Sequence, residues 1–482
     1  MDQRGNENFR PYRGRRGWNS ASWRIERGAR QHDTPRGGSW ISPEPTVDPK
    51  PYGPLLKSIT IEDLDKEAQE SESITSIKNC IYAASYSWLE KSDPGIVVPG
   101  KPPTWTPLKG SHKIPQDNGE YFRDKNSARY PKYPMEPAVQ SVLKMNQGFQ
   151  TNEVDVFGCS STIGNLLHFA RSNPKSFRML VEAVGDTVFF LRQENSPREL
   201  IPNVKGCGHT FPEAYTTWDS DVKGSACHAR IVKYQLGGMT FLVRFGCDGY
   251  IREYAEAGQH QKLGEPKKGG ITAEVLDQSD LLGDPESLAI SSKNAPGPGP
   301  LAISSAGKII PQHAIFDLKT RLQGKQVRME DLLPRLWISQ IPNLITAYHR
   351  WGEFNDAEIH VESVEDRVRE WKKENEVGLE KFVRLLRKVV EIARARKDGK
   401  IEICRTEDGA LEIRAPADAD RDVLPEPLKK IWSQKLPPSD ALKPKRDEEG
   451  ADTKPENDEE DNEPDYTACS AEGCGYCGQC TY

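Results

Sequence analysis

Phe241-Leu-Val-Arg-Phe-Gly-Cys-Asp248 and Ile315-Phe-Asp317-Leu-Lys319 are the two stretches on which the reading of this chain turns. Each is an apolar run that ends in charge. Residues two apart on a strand share a face, so Asp317 and Lys319 project together, and Asp248 meets them if the two runs are neighbouring strands. Two carboxylates and a lysine so placed form a compact site for Mg²⁺ or Mn²⁺. Hard oxygens hold the ion, and the lysine orients or activates a water, as in phosphodiester hydrolysis.

The sequence on either side gives these runs a setting. Ile231–Leu236 and Met239–Phe245 flank Gly237-Gly238, the signature of a hairpin, which puts Asp248 at the far end of its second strand. Residues 256–306 are rich in Gly, Pro, Ser and Lys, repeat Leu-Ala-Ile-Ser-Ser, and read as a disordered insertion between two strands of one sheet. Val154–Phe157 and Thr187–Arg192 read as strands. Ile59–Gln69, Ile74–Leu89, Pro137–Met145, Phe177–Val184, Val361–Trp371 and Leu379–Ala395 read as helices, and Leu332–Trp351 as helix-like with breaks at Pro334 and Pro342. Lys400–Arg405 and Ala410–Arg414 make a hairpin. The expected fold is α+β, a mixed central β-sheet flanked by helices. Its core is split into residues 51–255 and 307–416, with an arm at 1–50, an acidic linker at 417–465 and a cysteine-rich tail at 466–482. The basic face of Leu379–Ala395 reads as solvated.

Charge is unevenly distributed along the 482 residues. The net charge is −6, yet the first forty residues carry nine Arg, no Lys and four acids, whereas 447–465 carry eleven acids and one Lys. Arg-Gly steps alternating with Phe9, Tyr12, Trp18, Trp23 and Trp40 suit phosphate contact and base stacking, so residues 1–50 are read as an RGG-like arm for single-stranded RNA. A mean hydropathy of −0.70 with no long apolar run argues against a membrane span, and the polar N-terminus against a secretory signal. The expected location is the nucleus or cytoplasm. Six scattered cysteines read as reduced thiols. Cys469, Cys474, Cys477 and Cys480 form a compact set for Zn²⁺ or for redox chemistry.

Other chemistries fit less well. Gly158-Cys-Ser-Ser-Thr162 lacks the Gly-Lys-Ser/Thr ending of a P-loop and reads as an ordinary helix start. The loop at 203–228 holds Ser, His, Asp and Cys without the spacing of a hydrolase triad or metal site. No Asp-Asp-x-x-Asp pair supports a prenyl-diphosphate enzyme.

Met239–Asp248, Ile315-Phe-Asp-Leu-Lys319-Thr320 and Leu336-Trp-Ile-Ser-Gln340-Ile-Pro-Asn-Leu-Ile345 occur in an order that resembles the DXO-type decapping exoribonucleases, a branch of the PD-(D/E)XK nuclease-like fold. The resemblance covers roughly residues 230–415 apart from the insertion, and Gly352, Trp371 and the helix at 379–395 agree with it. It implies RNA 5′-end decapping or pyrophosphate hydrolysis with Mg²⁺ or Mn²⁺. Asp248 and Asp317 would hold the metal, Lys319 would activate water, and Gln340 would stand near the substrate. Glu182 is the candidate for the family's further, helix-borne acid. One departure matters: Gly246 stands where the family's Glu-x-Asp motif places its glutamate. Either Glu182, Asp219 or Asp221 compensates, or the chain is a degenerate, fungal-type member that binds RNA without cutting it.

Overall fold

The computed structural model describes residues 50–65, 74–260 and 299–434, apart from 92, 120, 202, 203, 205, 408 and 418–420. The RGG-like arm, residues 261–298 and the cysteine-rich tail with Cys469, Cys474, Cys477 and Cys480 lie outside the described residues.

Two mixed sheets organise the chain. The larger has eleven strands in the spatial order Leu55–Ile59, Leu411–Arg414, Lys400–Arg405, Phe177–Val184, Thr187–Arg192, Val156–Cys159, Met239–Cys247, Ser225–Leu236, Lys78–Leu89, Gly95–Gly100 and Ala302–Gly307. Alternation along Met239–Cys247 explains why both faces are covered. Phe241, Val243 and Phe245 pack with Leu379, Phe382 and Leu386 on one side, among helices Ser160–Ala170, Met329–Ser339 and Glu376–Ala395. Leu242 joins Phe157, Phe189, Val139 and Trp432 on the other, under helices Glu136–Met145 and Glu426–Trp432. Each such side chain contributes roughly 1.5–3 kcal/mol by leaving water. The Gly237-Gly238 turn has both φ angles positive, 58° and 76°, as a tight hairpin requires. A Cβ at Gly237 would sit 2.2 Å from Val383 Cγ1, so the turn also lets the Glu376–Ala395 helix approach.

The smaller sheet runs Ser111–Lys113, Glu353–Ser363, Asn343–Arg350, Ile315–Leu322, Gly249–Tyr250, Thr104–Trp105 and Thr216–Thr217. Phe316, Leu318, Ile345 and Ala347 on one of its faces pack with Phe211, Tyr215 and Phe354. The chain leaves the large sheet at Cys247 and enters the small one at Gly249, so Asp248 is the residue at the crossing.

Several sequence expectations change here. Ile74–Leu89 and Phe177–Val184 are not helices but contribute the strands Lys78–Leu89 and Phe177–Val184. Both lie inside the large sheet, where burial on both faces over Ala83–Trp88 and Met179–Glu182 removes the period of two. Leu332–Trp351 splits into helix Met329–Ser339, which contains Pro334, and strand Asn343–Arg350, with Pro342 between. Val361–Trp371 is the end of strand Glu353–Ser363 followed by helix Glu365–Glu374. The supposed insertion is narrower than 256–306, because helix Arg252–His260 begins before it and strand Ala302–Gly307 pairs in parallel with Gly95–Gly100 after it. The region beyond Pro416 is not wholly without structure: helix Glu426–Trp432 seats Trp432 against Phe149, Phe157 and Phe189, and its indole donates to Thr187 Oγ1 at 2.9 Å.

Candidate functional site

Gly249 is paired with Phe316 in an antiparallel ladder, and this register carries Asp248 to Asp317. The Asp248 carboxylate accepts the Leu318 N–H at 2.9 Å. Asp317 is 1% exposed. Its Oδ1 meets Lys319 Nζ at 2.5 Å, and its Oδ2 is ion-paired with Arg335 from the Met329–Ser339 helix. Lys319 Nζ also donates to the Leu318 carbonyl at 3.0 Å.

The two carboxyls are driven apart electrostatically. Burial, reinforced by the Asp317 charge, pushes Asp248 above the ordinary carboxylate range against the pull of Lys319 and Arg335. Burial alone would raise Asp317 as well, but Arg335 and Lys319 outweigh it and hold Asp317 below that range. Asp317 is therefore the fixed anion of the pair, and Arg335 is its strongest charge partner.

Behind them, Arg244 lies on the same strand face as Gly246 and Asp248 and is 4% exposed. It pairs in register with Cys159, at the start of helix Ser160–Ala170, and reaches Tyr86 Oη at 3.5 Å. Burial favours the neutral Cys159 thiol, but Arg244 and Ser161 more than reverse this and lower it below the ordinary thiol range. Cys159 lies within the field of Arg335 too. Lys319 and Arg335 thus serve the two carboxylates, Arg244 serves the thiol, and Arg335 lies within reach of both groups. The Cys159 side chain makes no capping hydrogen bond to its helix, so the ordinary cap expected there is absent.

The remaining expected residues lie apart. Glu182 is not on a helix and does not join the pocket. It is buried on strand Phe177–Val184, paired with Lys429 at 2.5 Å and accepting the Val423 N–H at 2.7 Å, where it ties down helix Glu426–Trp432. Asp219 and Asp221 are held by Lys101 at 2.6 and 3.1 Å. Gln340 caps the Met329–Ser339 helix with a φ of 53°, and its side chain turns back to donate to the Trp337 carbonyl. Gly246 is exposed, and a Cβ there would meet nothing within 4 Å, so a side chain at this position would have open space.

A divalent ion fits this arrangement poorly. Of the two carboxylates, one accepts a backbone N–H and the other carries a lysine and a guanidinium. Among the described residues, no three His, Cys, Asp or Glu side chains are grouped to hold a metal. Arg335 and Arg244 are the residues that sequence reasoning missed. Arg335 is half-buried between buried Pro334 and Leu336, and Arg244 is a buried cation that interrupts an apolar run; a lone cation among apolar neighbours is the one available signal.

Residues 58–432 match a family model described as a domain of unknown function, DUF8563. The chain belongs to that family. No curated protein sequence matches it. Among solved structures it is similar to Rai1 of S. pombe in complex with 3′-FADP, at 12% identity over 75% of this chain and 99% of that one, with a TM-score of 0.46. It is similar also to Rai1 of Candida albicans in complex with pU5-Mn2+, at 8% identity over 77% and 100%, TM-score 0.42. A third is Dxo1 of K. lactis in complex with manganese, at 10% identity over 76% and 97%, TM-score 0.40. No helix among the described residues is long and apolar enough to cross a membrane.

Proposed function

We propose that this chain is an RNA-handling protein that engages the phosphate-bearing end of a single strand at the Asp248–Asp317–Lys319 pocket and holds it without hydrolysis. The observation that carries this reading is the ion pair between Arg335 and Asp317. A guanidinium supplies the positive charge that a hydrolase of this layout would draw from a metal ion, and Gly246 leaves the adjoining ligand position open. Arg and Lys donors directed at a phosphate need no ion between them. The strand motifs that resemble DXO-type decapping exoribonucleases meet at this same pocket, which is why RNA ends are the proposed ligand.

The test is incubation of the full chain with 5′-monophosphate, 5′-triphosphate and capped RNA in Mg²⁺ or Mn²⁺. Bound and uncut RNA, with affinity reduced by Lys319→Ala, is the expected result. Metal-dependent product that disappears in Asp317→Ala would overturn it in favour of a hydrolase. One observation favours that second reading. The Asp248 carboxyl is pushed up by burial and then by its neighbour Asp317, and a bound cation would favour the ionised form against both.

A further inference from the structure

The strand that carries Asp317 and Lys319 continues into one face of the small sheet, and that face is chemically one-sided. Along Ile315–Leu322, Asp317, Lys319 and Arg321 share a side, while Phe316 and Leu318 are buried on the other. The neighbouring strand runs parallel, with Lys319 opposite Thr346 and Arg321 opposite Tyr348. The next strand sets His360 opposite Thr346, and the Tyr348 and His360 rings stand 6.1 Å apart. Lys319 and His360 are therefore level with each other across the sheet, and Arg321 and Tyr348 stand one step further from the pocket.

The face leads to the hairpin turn Trp351-Gly352, between Asn343–Arg350 and Glu353–Ser363. Both turn residues have positive φ, 54° and 86°. Gly352 has a packing reason, since a Cβ there would fall 2.7 Å from the Ile114 carbonyl oxygen. Trp351 has none. This turn position favours Asn, Asp or Gly, and a bulky side chain in the left-handed region is strained. The indole is nevertheless 79% exposed. It borders a recess of about 350 Å³ shared with Leu322, Gln323, Gly324 and Arg350. An aromatic ring held in a disfavoured conformation and left in water offers no gain to folding. Strain of that kind points to a ligand.

Exposed cations select the ligand. Of the acids at this end of the sheet, Asp331 is paired with Arg328, while Glu358, Glu353 and Asp356 accept from the neutral donors Gln323, Ser111 and the Gly110 N–H and keep their charge. Arg321 and Lys325 are exposed and make no side-chain ion pair among the described residues. We infer that the face from Lys319 to Trp351 is a track for single-stranded RNA, with phosphates on Lys319 and Arg321 and a base stacked on Trp351. This rests on the pocket reading above and extends it by a second contact. Trp351 lies five residues beyond Thr346, or about 17 Å along the strand, so a strand anchored at the pocket must be several nucleotides long to reach it. Stacking on an exposed indole accepts any base, so the track reads strandedness rather than sequence.

The experiment measures fluorescence anisotropy of labelled 5′-phosphorylated U2, U8 and an RNA duplex with the full chain. Trp351→Ala is expected to weaken U8 about 10-fold and leave U2 unchanged, with Trp351→Phe recovering most of the loss. Arg321→Ala is expected to lower the slope of log K against log salt for U8 by about 1. U8 affinity unchanged in Trp351→Ala, or a duplex that binds as well as U8 and loses equally, overturns the track. Failure of the pocket reading looks different: Lys319→Ala would then leave U2 and U8 unchanged while Trp351→Ala still weakened U8. Absence of RNA binding of any kind overturns both.

Discussion

Arg335 can be weighed directly by a double-mutant cycle with Asp317, using Asp317→Asn and Arg335→Met. Two unit charges in contact near a protein surface interact by about 4 kcal/mol at an effective dielectric of about 20. The Arg335 side chain is 39% exposed, and water screens part of that. Lys319 stays on the same carboxylate in the Arg335→Met protein and takes up part of the loss. The coupling expected from urea unfolding of the full chain at pH 7 is therefore about 2 kcal/mol, with the double mutant more stable than the sum of the singles. Asp317→Asn should be the costlier single change, because it takes from Lys319 and Arg335 the carboxylate both of them contact and leaves them only the Asp248 carboxyl, which contacts neither as an ion pair. The pH sense follows from the two carboxyls. The lowered Asp317 contributes stability above its unfolded value that is lost as pH falls through the folded one; the raised Asp248 contributes stability at low pH that is lost as pH rises through its folded value. Additivity of the two substitutions within about 0.5 kcal/mol would refute the claim that Arg335 is the working partner of Asp317.

Gly246→Glu places a carboxylate two residues before Asp248 in open space, so it should fold normally and acquire a rise in Tm with Mg²⁺ or Mn²⁺ that the parent lacks; scanning calorimetry with and without metal would show it. Glu136, 2% exposed, is pushed up to about 7 by burial despite hydrogen bonds to Tyr130 and Gln140. Its contribution is complete below about pH 4.5 and is lost as pH rises through 7, so Glu136→Gln should gain up to about 3 kcal/mol on the parent between those limits in a pH series of urea midpoints. Trp432→Ala removes an indole that is 1% exposed and bonded to Thr187, and should cost about 3–5 kcal/mol; a loss under about 1 kcal/mol would mean that helix Glu426–Trp432 is not part of the core.

The meeting of Asp248 with Asp317 and Lys319 was legible because it needs only strand alternation and an adjacency suggested by motif order. The Ser225–Leu236 and Met239–Cys247 hairpin was legible because Gly237-Gly238 has one structural use. Lys78–Leu89 and Phe177–Val184 were not, since strands buried on both faces lose the period that marks them. Glu182 misled for a related reason: a lone acid in an apolar run signals a buried partner but not which one, and here it is Lys429. Arg335 was out of reach because its role exists only after a helix from one part of the chain is laid on a strand from another. Leu428, Ile431 and Trp432 carried a weak helical period, which the charged residues around them concealed.

Asp248 occupies the single peptide unit where the backbone passes between sheets, and its carboxylate clasps the amide of the next strand. Architecture and chemistry thus share one side chain. Asp248→Ala would loosen the joint as well as alter the pocket, so loss of ligand in that variant is ambiguous by construction. Asp248→Asn keeps an acceptor for the Leu318 amide while removing the charge, and the contrast between the two substitutions separates the hinge pin from the ligand contact.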